Sequence, residues 1–203
     1  MKSVLIATTN PGKLAEIKIA LSPLKKQGVT ILDLSSFPEI EPPEETGATF
    51  EENARLKASY YAEQSQLPTI ADDGGIMIDA LHGEPGVKSR RWPGYEASDQ
   101  ELIDYTLTKL SSVPLTKRTA KLETCVCFYD PSTRQFEISQ EGVNGTIAEQ
   151  PSQHLIHGYP YRSLFIVDAF GTYYDELTAE QHVSINHRLK AVRKLISLIQ
   201  TQR

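Results

Sequence analysis

The sequence predicts a mixed α/β fold, and three observations carry the prediction. Strand and helix patterns alternate over the first part of the chain, an alternating apolar–polar segment in the middle turns back on itself, and an apolar stripe at helical spacing closes the chain. With 203 residues there is enough chain for one well-filled core or two small lobes, and we read residues 1–203 as a single domain. The composition, 39% hydrophobic and 23% charged, is that of a globular protein and excludes a disordered or fibrous one.

Val4–Ala7 is a short apolar strand, followed by a helix that carries Leu14, Ile17 and Leu21 on one face. Val29–Leu32 predicts a second strand, and the Pro- and Glu-rich stretch Pro38–Gly47 a loop. Thr49 and Glu52 form a capping box, opening a helix that runs to about Gln64 and packs closely through Ala54, Ala58 and Ala62. Thr69–Ala71 is expected to be a short strand that ends in an acidic turn at Asp72-Asp73-Gly74-Gly75. Ser98 and Glu101 make a second capping box, before a helix bearing Leu102, Tyr105 and Leu110.

Farther on, Ala120, Leu122, Thr124, Val126 and Phe128 alternate with Lys121, Glu123 and Cys125, the pattern of a half-buried strand. Asp130-Pro131-Ser132-Thr133 turns it into an antiparallel partner holding Phe136 and Ile138. A third capping box, Thr178 to Gln181, opens one C-terminal helix with Ile185, Leu189, Val192, Ile196 and Ile199 on its apolar stripe. A cleft between two lobes is the expected place for a ligand.

The formal net charge of −5 argues against a general nucleic-acid binder, yet a nucleotide needs only a local cluster of basic residues. No apolar stretch approaches the length of a membrane span, and Val4–Ala7 is too short for a signal peptide. Cys125 and Cys127 share one strand face and are not a C-x-x-C pair, so they read as reduced, strand-filling thiols of a cytoplasmic protein.

Two segments carry chemistry. Thr8-Thr9-Asn10-Pro11-Gly12-Lys13 lies between a strand and a helix start, where unpaired amides and the helix dipole favour phosphate. It is not a Walker A loop, because Leu14 follows Lys13 where Ser or Thr is required. On its own it reads equally as a Pro-Gly turn followed by a solvated lysine. Asp72-Asp73-Gly74-Gly75 is the acidic counterpart, with oxygen ligands suited to Mg²⁺ and glycines that allow close approach. Glu44 and Glu45 are a further source of carboxylate, or simply solvated loop acids. Lys57, one turn beyond Asn53, shares its helix face, and His187 with Arg188 forms another donor pair. Phosphate cradle plus carboxylates suggests a magnesium–nucleotide site.

Taken together, these segments resemble the inosine triphosphate pyrophosphatase family, the non-standard purine nucleoside triphosphate pyrophosphatases. Thr8–Lys13 with Glu16 is similar to the family's opening phosphate motif. Glu44-Glu45-Thr46-Gly47, Thr49–Ala54 and Lys57-Ala58 are similar to its second block. Ala71–Gly75, then Ala80-Leu81, Gly83–Val87, Ser89 and Arg91 are similar to its third. The resemblance implies an elongated mixed sheet flanked by helices, two lobes with the nucleotide between them, and a homodimer. It implies hydrolysis of a nucleoside triphosphate to the monophosphate and pyrophosphate, with Mg²⁺ as cofactor; the net charge and the lack of a long apolar run leave no nucleic acid or membrane as expected partner. By the same carry-over Asp73 is the general base and a metal ligand, and Glu44 the other ligand. Lys13 and Lys57 bind the triphosphate and Gly74 lies against the substrate, with Thr8, Thr9, Asn10, Pro11 and Gly12 the other candidate substrate-binding residues of the loop.

The base-recognition half departs from the family pattern. In place of Gly-Phe-Gly-Tyr-Asp-Pro the chain reads Gly158-Tyr159-Pro160-Tyr161-Arg162-Ser163, His182 stands at the family's lysine, and Asn186-His187-Arg188 replaces Ser-His-Arg. Tyr159, Tyr161, Arg162, His182, His187 and Arg188 are the candidate residues for the base side. Arg for Asp turns an acceptor-only group into a donor fork. The expectation is retained phosphate chemistry with altered, relaxed or weakened base preference. Two alternatives stand beside it: Arg162 pairs elsewhere, with Asp168 or Asp175, or the chain is a nucleotide-binding sensor with little catalysis.

Overall fold

The computed structural model describes residues 1–201, and the expected domain's last two residues lie outside them. Seven strands, β1 (Ser3–Ala7), β2 (Thr30–Asp33), β3 (Thr69–Ile78), β4 (Thr119–Asp130), β5 (Gln135–Ile147), β6 (Phe165–Val167) and β7 (Thr172–Tyr173), form one sheet in the order β2-β1-β3-β4-β5-β6-β7. β1 pairs parallel with β2 and β3, whereas β5 with β6 and β6 with β7 are antiparallel, so the sheet is mixed. Six α-helices accompany it among the described residues: α1 (Pro11–Ala20), α2 (Ser22–Lys26), α3 (Phe50–Ser65), α4 (Asp99–Lys109), α5 (Ala179–Ile185) and α6 (His187–Thr201).

The chain divides into two compact units. The first comprises Met1–Gly74, Thr124–Glu141 and His187–Arg203, the second Gly75–Glu123 and Gly142–Asn186. In the first, Ile17 and Leu21 from the α1 end and Leu189, Val192 and Leu195 of α6 bury against Val4, Ile6, Ile70 and Val126 of the strands. Ala54, Ala58 and Ala62 of α3 are fully buried, the close packing their small size allows. The second unit has its own core, in which Ile76, Ile78, Leu102, Ile103, Leu164 and Phe165 are central.

All three capping boxes form, with Thr49, Ser98 and Thr178 each accepting from the backbone N–H three residues on. Three expectations need correction. First, β3 does not stop at Ala71 but runs through Asp72–Gly75 to Ile78, because buried cations satisfy the carboxylates without a solvated turn. Second, β4 is buried on both faces from Leu122 to Tyr129, not half-buried; Glu123, Cys125 and Cys127 are inside as well. Third, the C-terminal helix is two helices. Asn186, at φ −55° and ψ 107°, breaks α5 from α6.

Both cysteines are buried and neither is in a disulfide, and burial pushes the Cys127 thiol up to about 12, in keeping with a packing role.

Candidate active site

The first unit gathers the phosphate loop, α3 and the acidic segment of β3. Asn10 is the N-cap of α1: its Oδ1 accepts from the amides of Gly12 at 2.9 Å and Lys13 at 3.1 Å, and Pro11 supplies a helix-ready φ at the start. Thr8 Oγ1 accepts from the Asn10 amide at 3.3 Å, while Thr9 is exposed. The loop is thus pre-shaped by its own side chains. It presents Lys13 one turn into the helix, at the positive end of the dipole.

Lys13 Nζ lies 3.1 Å from Asp72 Oδ2. The same oxygen accepts from Arg188 Nε at 2.9 Å, and Arg188 Nη1 reaches Glu16 Oε2 at 2.5 Å. Asp72 is 1% exposed, and burial alone would raise its pKa. Lys13, Arg188 and Lys57 outweigh that cost and hold the carboxyl well below the usual range. Its other oxygen, Oδ1, is buried and has no hydrogen-bond partner among the described residues.

Asp73 differs in kind. Lys57 Nζ lies 3.1 Å from its Oδ1, and Asn53 Nδ2 donates to its Oδ2 at 3.2 Å. Here burial is the larger effect and raises the pKa, with Lys57 and Lys13 offsetting part of it and Glu45 adding to it. Lys57 is held charged against its own burial by Asp73, Asp72 and Glu45. Thr124 of β4 donates its hydroxyl to the Asp73 carbonyl at 3.2 Å and sits 3.4 Å from Asp72 Oδ2.

Gly47 makes this arrangement possible from the loop side. Its amide donates to Asn53 Oδ1 at 2.8 Å, and a Cβ on residue 47 would lie 2.6 Å from that same oxygen. Glycine therefore lets the loop close onto α3 and leaves the Asn53 amide aimed at Asp73.

Of the two loop acids, Glu45 is the one that enters the cluster, 3.1 Å from Lys57 Nζ. Glu44 is exposed and lines a surface groove with Pro43, Leu56, Ser59, Tyr60 and Glu63. Gly74 follows Asp73 within β3. Arg188 and His187, read from sequence as substrate donors, are both buried, at 3% exposure each. The Arg188 guanidinium acts as counter-ion to Asp72 and Glu16. Thr124 escaped the sequence reading as a site residue. Its one signal was a hydroxyl in an otherwise apolar stripe.

The base-side candidates except His187 and Arg188 lie in the second unit. Arg162 is buried at 5% exposure, its guanidinium carbon 3.7 Å from the centroid of the Tyr159 ring and 4.6 Å from that of Tyr174. Tyr174 meets the His182 ring edge-on at 5.5 Å, and His182 Nε2 is 3.3 Å from Asn186 Nδ2. The three departures from the family pattern, Arg162, His182 and Asn186, therefore form one connected cluster through Tyr174. Tyr161 donates its hydroxyl to the Ser89 carbonyl at 2.7 Å. Asp175 is close enough to feel the Arg162 charge, but burial dominates and lifts its carboxyl to about 6.

Two lysines thus converge on a pair of buried carboxylates beside a capped helix start. The comparisons place the chain within one family. A sequence model of the Ham1 family matches residues 4–198, and the chain belongs to that family. It is 36% identical to the dITP/XTP pyrophosphatase of Halalkalibacterium halodurans, over 96% of this chain and 97% of the relative. It is 38% identical to the enzyme of the same name from Yersinia pseudotuberculosis, over 98% of each. Among solved structures it superposes on a Ham1 protein of Coxiella burnetii with a TM-score of 0.85 at 29% identity, covering 100% of both chains. The Staphylococcus aureus Ham1 protein gives the same TM-score, 0.85, at 30% identity and 100% coverage of both.

Proposed function

We propose that the chain is a divalent-metal-dependent hydrolase of non-standard purine nucleoside triphosphates, releasing the monophosphate and pyrophosphate and so cleansing the nucleotide pool. The observation that carries this reading is the placement of Lys13 and Lys57 on the adjacent carboxylates Asp72 and Asp73, each at 3.1 Å. The names of the relatives, dITP/XTP pyrophosphatases, support the substrate class. Because the family match spans both units, residues 1–203 are read as one catalytic domain, acting as a homodimer in the cytoplasm. No helix among the described residues is long and apolar enough to cross a membrane.

Charge supports a metal. Three cations (Lys13, Lys57, Arg188) are linked to four carboxylates (Glu16, Glu45, Asp72, Asp73), an excess of one negative charge that would repel a bare triphosphate. Among the described residues no three His, Cys, Asp or Glu side chains form a ready cage. Mg²⁺ needs none: one or two carboxylates and the substrate's own phosphates suffice. The oxygen-only donors and the unpartnered Asp72 Oδ1 fit such an ion. Asp73 would hold it with Glu44 or Glu45, and when bound it would neutralise charge on the phosphate oxygens.

The chain's own residues do the rest. Lys13 and Lys57 bind and orient the polyphosphate, with Thr8, Thr9 and the loop through Gly12 beside it. Asp73, whose burial raises its basicity, takes the proton of the attacking water, and Asn53 and Lys57 keep its two oxygens in place. Arg188 and Glu16 keep Asp72 charged and fixed. A second element of the reading concerns the base. The buried Arg162 fork, stacked on Tyr159, shifts preference toward bases that present carbonyl acceptors, xanthine ahead of hypoxanthine.

The test is pyrophosphate release from XTP, ITP, dITP, ATP and GTP, with Mg²⁺ and with chelator. Turnover of XTP and ITP that chelator abolishes is expected, with Arg162→Asp lowering the XTP:ITP ratio of kcat/KM about tenfold. No turnover on the whole panel, alongside nucleotide-induced thermal stabilisation, would make the chain a binding protein instead.

A further inference from the structure

The segment leading into Tyr159 is held from an unexpected direction. Asp99 is the first residue of α4, where an acid ordinarily serves the helix dipole. Its carboxylate has other partners. Oδ2 accepts the Gly158 amide at 2.7 Å, across 59 positions of sequence, and lies 3.3 Å from His157 Nδ1. Oδ1 accepts from Arg90 Nη1 at 2.6 Å, and Arg90 Nη1 also lies 3.3 Å from the Ala97 carbonyl. Gly158 has φ +86°, a left-handed conformation that glycine adopts without strain. Residues 153–157 before it are exposed, so packing does little to hold them. Three residues on, the Tyr161 hydroxyl reaches the Ser89 carbonyl at 2.7 Å. Both ends of the Gly158–Tyr161 segment are thereby tied to the turn Gly86–Arg91, at one end through Asp99 and Arg90 and at the other through Ser89.

We infer that Asp99 is a positioning residue for nucleotide recognition, fixing the height and direction of Tyr159 by gripping the amide that precedes it. The inference rests on the reading of Gly158–Tyr161 as base-binding. A charge-assisted bond to a backbone N–H is among the stronger neutral-to-charged contacts, and here one carboxylate couples the loop to Arg90 as well. Loss of Asp99 frees the loop without touching the phosphate residues, so substrate binding suffers and the chemical step does not.

Two measurements on the full chain decide it. Thr106→Ala is the control, because Thr106 is buried in α4 and bonds only within that helix, to the Leu102 carbonyl. In Asp99→Ala, amide hydrogen exchange at Gly158 and Tyr159 is expected to be about tenfold faster than in Thr106→Ala. KM for XTP and ITP is expected to rise about tenfold with kcat within about twofold of wild type, whereas Thr106→Ala lowers the melting temperature and leaves KM unchanged. Equal exchange and equal KM in the two variants overturn the inference, as does a fall in kcat at constant KM. If the wild-type chain hydrolyses no nucleoside triphosphate, the functional reading is what fails, and faster or unchanged exchange at Gly158 still decides whether Asp99 holds the loop.

Discussion

Arg188 donates from Nε to Asp72 Oδ2 at 2.9 Å across 116 positions of sequence, joining the start of α6 to the centre of β3 inside a shell almost closed to water. The bond explains how two adjacent aspartates come to have opposite electrostatic settings. Asp72 is committed to Arg188 and Lys13, while Asp73 is left to Lys57 and Asn53. A depressed and a raised carboxyl then stand side by side on one strand.

Removing the guanidinium strands Asp72 and Glu16 as buried charges. Arg188→Ala is expected to lose about 3–5 kcal/mol of unfolding free energy, measured by urea denaturation near neutral pH. The depressed Asp72 carboxyl contributes stability that is present above its ordinary value of 3.8 and lost as pH falls toward the folded-state value. The variant should therefore also lose part of the wild-type acid limb. A variant as stable as wild type across that range would show that the pair contributes nothing net.

Asp72 and Asp73 should separate cleanly under the same isosteric change. Asp73→Asn is expected to reduce kcat at least about a hundredfold with little loss of stability, since the raised carboxyl is not a favourable charge in the folded state. Asp72→Asn is expected to cost about 2–4 kcal/mol, by leaving Lys13 and Arg188 short of a partner. Parallel melts and single-turnover assays would expose the opposite order.

Gly47→Ala places a methyl against Asn53 Oδ1 and, at 2.8 Å, Glu52 Cβ. Either the loop lifts or Asn53 rotates away from Asp73. A stability loss of about 1–3 kcal/mol is expected together with a fall in kcat, and Asn53→Ala should reproduce the kinetic part alone. Stability and kinetics unchanged in Gly47→Ala would mean that the loop does not hold this position in solution.

Asp175 predicts a pH effect of the opposite sign to that of Asp72. Its carboxyl is raised to about 6 by burial, so the folded state holds a proton that the unfolded state releases above about 4. Stability from this group is present below pH 4, declines as pH rises to about 6, and is flat beyond. Asp175→Asn removes the decline, and its melting temperature should gain on wild type between pH 4 and pH 7. Equal shifts at both values would place the raised group elsewhere.

Much of the fold was legible because its signals are local. The capping boxes at Thr49, Ser98 and Thr178 satisfy the first amides of a helix with a side chain three residues away, and sequence spacing reports that directly. The errors share a cause. β3 was expected to end at its aspartates because acids usually seek water, and β4 to have one wet face because Lys121, Glu123 and Cys125 alternate with apolar residues. In both strands burial was decided by distant partners: Arg188 for Asp72, and covering elements for β4. The break at Asn186 was missed because the apolar stripe continues through it.

Residue type and spacing by themselves determined the mixed α/β class, the capped helix starts at Thr49, Ser98 and Thr178, and the Asn10–Lys13 and Asp72-Asp73 segments whose resemblance pointed to the family. Only the tertiary structure decided which aspartate is locked and which is basic, that Glu45 and not Glu44 meets Lys57, that Arg162 stacks between two tyrosines, and that Asp99 holds Gly158. The reason is range: propensity and capping act within a few residues, whereas the field at a carboxylate is set by charges that arrive from anywhere in the chain within a few ångströms.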